Sequence, residues 1–233
     1  MDDEGFAAAV TAVCLLGDPV RRALYQYVAE QADAVGREEA SRGVRVPVHV
    51  AKFHLDRLHE IGLLDVEYRR PPGRGGPGAG RPAKVYRRSA SEFAVSIPER
   101  RYDVAGLIMA RALAEAMAGD VAIDTALERA AGGAGEALGR AARGGLGRRP
   151  SRAAVLAAAR DAMAGLGFEP RPAGGGYVLG NCPFRTLADQ APEVVCRMNV
   201  ALVAALLDEL GSRKVSANLE PAEGRCCVTV RSE

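Results

Sequence analysis

Apolar residues recur at helical spacing through most of this chain, and the alternation expected of strands is confined to a few short runs. Phe6 to Glu30 carries the helical pattern, broken by Asp18-Pro19, a capping side chain followed by a proline suited to a first turn. The pattern predicts a short leading helix and then a second from Pro19 to about Gln31. Arg37 to Arg42 reads as the next short helix, with Gly43 to Val46 as a turn. From Pro47 to Leu64, Ala51, Leu55 and Leu58 fall one and two turns apart on a single face, which marks that face as core. His49, Lys52, Phe53 and Asp56 lie on the opposite side. Leu63 to Tyr68 and Lys84 to Arg88 have the Val and Tyr content of two short strands, and the Gly- and Pro-rich stretch between them cannot be helix. A hairpin with a long loop is predicted, and a plain flexible linker is the alternative.

The second half is patterned differently. Tyr102 to Met117 places Val104, Leu107, Ile108, Leu113 and Met117 at helical spacing, as does Val121 to Leu138. Ser151 reads as the cap of a helix running to Met163 and ending at Gly165 to Gly167. Phe168 to Leu179 looks like a hairpin turning at Gly174 to Gly176. Leu187 to Leu210 is helical, with Pro192 opening a new helix, and Ser216 to Val230 resembles two strands joined across Glu220 to Gly224. The expected fold class is α+β, mainly α. A DNA-gripping winged helix-turn-helix domain over residues 1–95 is followed by a linker and dimerisation helix over 96–120 and a smaller α+β sensor domain over 121–233.

Composition narrows the function classes. The chain has 233 residues, 48% of them hydrophobic, enough for a core in each of two modest domains. Net charge is only +2, yet Arg69, Arg70, Arg74, Arg81, Lys84, Arg87 and Arg88 crowd one stretch with no acid between Arg69 and Arg88. Basicity so placed suits one phosphate-facing surface rather than a general polycation. The start, Met1-Asp-Asp-Glu-Gly5, lacks the basic-then-apolar pattern of a secretory leader, and no segment supplies the roughly 20 apolar residues of a membrane span. A cytoplasmic protein with no membrane partner is expected. Its five cysteines should then be mostly reduced, open to metal or redox chemistry or to simple burial.

Three ordered motifs carry a resemblance. Leu16-Gly-Asp-Pro-Val-Arg-Arg-Ala-Leu24, Phe53 to Leu64, and Gly80-Arg-Pro-Ala-Lys-Val-Tyr-Arg87 resemble the ArsR-like winged helix-turn-helix regulators. The second half, with Asn181-Cys-Pro-Phe184, Val195-Cys196 and Gly224-Arg-Cys226, is similar to the sensor half of the Suf-operon repressor group. The resemblance implies a homodimer on double-stranded operator DNA. The 47–59 helix would enter the major groove with His49, Lys52, Phe53 and Asp56, and Arg74, Arg81 and Lys84 of the wing would meet phosphates or the minor groove. It also implies an iron–sulfur cluster on Cys182, Cys196 and Cys226, whose state alters the spacing of the two DNA-reading heads.

The residues can be weighed beside that resemblance. Thiolates are the donors an iron–sulfur cluster needs, but the three cysteines are far apart in sequence, so they meet only in a folded domain. Burial as small hydrophobes and zinc binding remain alternatives. Related repressors tend to carry His or Glu beside the first cysteine or just after the second. Here those neighbours are Leu179, Gly180, Arg197 and Asn199, which leaves a fourth ligand open. Strand alternation puts Cys226 with Val228 and Val230 and turns Cys227 to the other face with Thr229; the resemblance assigns Cys226, because the related repressors' cysteine precedes alternating apolar residues in the same way, and Cys227 stays a candidate for the vacant position. Cys14, next to Leu15 and Leu16, is expected in the core. The three histidines lie five apart on one predicted helix, so they do not share a face for one metal ion. His54 is expected to pack against the first helix and His59 to lie on the surface.

No phosphate-binding loop, nucleophile elbow or H-E-x-x-H motif is present in the sequence, and no histidine lies outside residues 49–59. An enzyme is not expected. Besides the cluster-sensing regulator, two readings stay open: a regulator with a small apolar ligand pocket and inert cysteines, and a metal-free thiol switch.

Overall fold

A computed structural model describes residues 3–69, 82–119, 121–147, 150–211 and 214–232. The fold is α+β and mainly helical. It divides into two compact units, one up to residue 95 and one from residue 96. Among the described residues no helix is long and apolar enough to cross a membrane.

The first unit opens with α1 (Asp3–Leu15) and α2 (Pro19–Glu30). Asp18 caps α2, its carboxylate accepting from the Arg21 backbone N–H at 2.8 Å, with Pro19 in the first turn. A two-residue strand β1 (Val35–Gly36) leads into α3 (Arg37–Val44), and α4 (Val48–Glu60) follows after a tight turn. Arg45 takes left-handed backbone angles in that turn, and Ser41 closes it by donating its hydroxyl to the Val46 carbonyl at 2.6 Å. The strands β2 (Leu64–Arg69) and β3 (Ala83–Arg88) pair antiparallel, Val66 opposite Tyr86, and β1 adds to the free edge of β3. Leu24, Val28, Ala40, Ala51, Leu55, Leu58, Leu64 and Tyr86 form the core, so α4 buries the predicted face.

α1 corrects one expectation. It turns Ala9 and Ala12 inward, and Cys14, two residues beyond Ala12, is carried round the helix to the exposed side. Neighbouring leucines in sequence do not place a residue in the core when the helical phase points it outward.

The second unit contains α5 (Tyr102–Ala118), α6 (Ile123–Arg143), α7 (Arg152–Gly165), β4 (Pro170–Ala173), β5 (Gly176–Leu179), α8 (Arg185–Gln190), α9 (Pro192–Leu210), β6 (Val215–Leu219) and β7 (Val228–Ser232). The sheet is antiparallel with order β4-β5-β7-β6. The helix α9 buries nine of its side chains, from Val195 to Leu210, and packs against α6, α7, β6 and β7. Where α6 meets α9 the backbones come so close that a Cβ on Gly135 would lie 2.1 Å from the Leu202 carbonyl oxygen.

The helix over 96–120 is not a separate linker. Ala105, Ile108 and Ala112 of α5 are buried in the second unit, where α5 packs on α6. That unit is the larger of the two, as residues 121–233 alone already are beside residues 1–95.

Candidate functional site

Two groups of side chains gather the chemistry, one in each unit. On α4, His49, Lys52 and Phe53 are exposed, Phe53 at 63%, beside a shallow depression of about 390 Å³ that Asp56, Arg57 and Glu60 also line. Phe53 lies edge-on to His54, with ring centroids 5.2 Å apart.

Asp56 plays another part. Its carboxylate accepts from the Lys84 ammonium, from the Tyr86 hydroxyl at 2.8 Å and from Lys52 at 3.2 Å, which ties α4 to β3. Burial pushes this carboxyl up, but the hydrogen bonds from Lys84, Tyr86 and Lys52 outweigh burial and hold it down to about 2. The same burial and the same bond push the Tyr86 phenol above its ordinary range. Asp56 and Lys84 are therefore paired with each other, both partly exposed. Spacing along one element did not reveal this partner across the unit. Arg74 and Arg81 lie outside the described residues.

The Asp56 carboxyl sits below its ordinary 3.8 when folded, so its stabilisation is complete above about pH 4 and is lost as pH falls through about 2. Asp56→Asn is expected to cost on the order of 1 kcal/mol at neutral pH, discounted for its partly open surroundings. Denaturant titrations should show the gap from wild type closing between pH 4 and pH 2. A constant gap over that range would remove the ion pair as its cause.

The other histidines are structural. Arg21 of α2 donates to His54 Nδ1 at 3.3 Å, and His59 is exposed with Nδ1 3.0 Å from the Leu64 carbonyl.

In the second unit the fold gathers four cysteines from three places: Cys182 in the loop after β5, Cys196 on α9, and Cys226 and Cys227 just before β7. Asn181 fixes the first loop, its amide donating to the Gly167 carbonyl at 2.6 Å and the Glu99 carbonyl at 3.0 Å, while Arg100 donates to Asn181 Oδ1 at 2.6 Å. The Cys226 N–H donates to the Leu179 carbonyl at 2.8 Å, which brings the segment before β7 against the end of β5. Arg185 and Arg225 donate to the Arg225 and Cys226 carbonyls, holding the backbone around Cys226.

The sulfurs form two pairs. Cys226 and Cys182 share a hydrogen bond, and Cys196 Sγ lies 3.1 Å from Cys227 Sγ. The Cys226 thiol holds the Cys182 thiol down to about 7 against the effect of burial, helped by the Phe184 N–H and the charges of Arg185 and Arg100. Cys226 is pushed up, first by that bond to Cys182 and then by burial. Burial and the Cys227 thiol push Cys196 up to about 12. Asn199 donates to Cys226 Sγ at 3.3 Å, and its buried Oδ1 has no hydrogen-bond partner among the described residues.

This geometry corrects the strand argument. Cys226 and Cys227 precede β7, in irregular backbone to which alternation does not apply, and Cys227 faces Cys196. The soft, largely buried thiol set suits an iron–sulfur cluster in donor chemistry. Among the described residues, however, no group of three or more His, Cys, Asp or Glu side chains is arranged to hold a metal ion as it stands. Sequence spacing did not reveal the Cys196–Cys227 contact or the Asn199 donor; the polar Asn199 within the apolar stripe of α9 was the one available signal.

No protein-family model, no curated protein and no solved structure matches the chain.

Proposed function

We propose that this chain is a homodimeric, DNA-binding transcription regulator of the ArsR-like winged helix-turn-helix kind, related to the Suf-operon repressor group. Its second unit senses redox or iron status. The observation that carries the reading is the outward face of α4, where His49, Lys52 and Phe53 stand free of the core that the opposite face builds. Such a face has donors for purine N7 and O6 and an aromatic edge for a thymine methyl group. The Asp56 clamp to Lys84 and Tyr86 fixes α4 against the hairpin, so its reading side chains are presented on a rigid element. Exposed Leu107, Leu113 and Met117 on α5 supply apolar surface for a second copy.

Cys182, Cys196 and Cys226 would hold the iron–sulfur cluster, which when bound supplies one-electron, oxidant-sensitive chemistry. Arg100 and Asn181 position the Cys182 loop, and Asn199 directs an N–H at the Cys226 sulfur. Protein purified without oxygen should be brown and contain iron and sulfide; colourless, iron-free protein would sink the sensor reading.

The DNA reading is tested on α4. His49→Ala or Lys52→Ala is expected to cost about 1–3 kcal/mol on a preferred duplex and far less on random duplex, with folding intact. Fluorescence anisotropy measures both. Equal losses on the two duplexes would mean that these side chains hold only the backbone.

A second reading has its own observation: a depression of about 560 Å³ between α6 and α7, lined largely by Leu138, Leu146 and alanines. In that reading the unit receives a small apolar ligand and its cysteines are inert.

A further inference from the structure

The contact between Cys196 and Cys227 assigns a second chemistry to the cysteine site: we infer that these two form an intramolecular disulfide when the metal-free protein meets a hydroperoxide. Their sulfurs lie 3.1 Å apart, and a disulfide bond of about 2.05 Å asks for about 1 Å of further approach. Cys227 directly precedes β7, its carbonyl accepting from the Glu220 N–H at 2.6 Å, and Cys196 is fixed on the buried helix α9, so the sulfurs close the gap by side-chain rotation rather than by backbone movement. Cys227 is the partner that meets oxidant. It is the most open of the four sensor cysteines, half-buried where Cys182, Cys196 and Cys226 are buried, so oxidant reaches it first.

The step balances. The Cys227 sulfur, having lost its proton to water, attacks the hydroperoxide ROOH; an S–O bond forms, the O–O bond breaks, and ROH leaves after taking up a proton. Cys196 then attacks the sulfur of the resulting sulfenic acid. The S–S bond forms, the S–O bond breaks, and water leaves with the Cys196 proton. Two electrons pass from the sulfur pair to the peroxide, and a dithiol reductant reverses the bond by exchange.

Cys226 is excluded as the partner by its own contacts. Its sulfur is engaged by Cys182, by the Asn199 amide and by the Val228 N–H at 3.5 Å. The bond needs no metal. One consequence does rest on the cluster reading: a disulfide that consumes Cys196 removes a ligand, so oxidised protein cannot rebuild a cluster until it is reduced.

The test uses full-length protein freed of iron, treated with hydrogen peroxide and digested with trypsin without reduction. The expected product is peptide 186–197 joined to peptide 226–231, found in wild type and Cys226→Ser but absent in Cys227→Ser. In Cys196→Ser a sulfenic acid at Cys227 is expected instead, captured by dimedone. A link that survives Cys227→Ser, a link between Cys182 and Cys226 in its place, or no loss of thiols overturns the assignment. Reconstitution with iron and sulfide is read separately by visible absorption. Wild type that forms the disulfide yet never takes up iron, even when fully reduced, sinks the cluster reading and leaves the disulfide standing; wild type that turns brown but never links 196 to 227 does the reverse.

Discussion

Changing Cys182, Cys196 or Cys226 to Ser is expected to abolish the visible absorption of anaerobically purified protein and, with it, the response of DNA binding to oxidants. The three thiols are buried in one unit, and removal of one thiolate would leave a cluster's iron open to solvent and loss. Cys14→Ser should leave the absorption intact, because Cys14 is exposed on α1 in the other unit. Loss of absorption in Cys227→Ser as well would place Cys227 at the vacant ligand position. Wild-type absorption in all four sensor-unit variants would remove the cysteines from any cluster.

The second large effect is a contrast of sign between two glycines one turn apart on α6. A Cβ at Gly135 would stand 2.1 Å from the Leu202 carbonyl oxygen, a backbone atom that cannot turn away, whereas a Cβ at Gly132 meets nothing within 4 Å. Gly132→Ala should stabilise the protein by up to about 1 kcal/mol, the helix-propensity gain of alanine. Gly135→Ala forfeits the same gain by forcing α6 off α9, at a net cost of about 1–3 kcal/mol or more. Gly139→Ala should behave like Gly135→Ala, since its Cβ would lie 2.6 Å from Glu209 and 2.9 Å from the Leu206 carbonyl oxygen. Thermal melts decide it: equal effects at 132 and 135 would mean that the helices are not packed so tightly.

Much of the α+β architecture was legible because its signals are local. Asp18-Pro19 and Ser151 start helices through caps that depend on a few neighbouring residues, and Ala51, Leu55 and Leu58 mark a buried face by period alone. The features that were not legible depend on partners distant in sequence. Asp56 looks like an exposed acid on a polar face until β3 brings Lys84 and Tyr86 to it. Cys227 looks turned away from Cys226 until the chain before β7 proves irregular and presents it to Cys196, 31 residues earlier. Gly135 and Gly139 lie in an alanine-rich run whose meaning appears only when α9 lies against it. The type of donor at the cysteine site was thus readable from composition, and its pairing was not.

Sequence-specific binding of double-stranded DNA is the central claim, and repeated selection from a pool of random duplexes tests it most directly. The account predicts enrichment of a two-fold symmetric motif whose half-sites lie about one helical turn apart, with enrichment lost in Lys52→Ala. A pool that stays random after selection, or that the protein binds no more tightly at the end than at the start in the same salt, would contradict it.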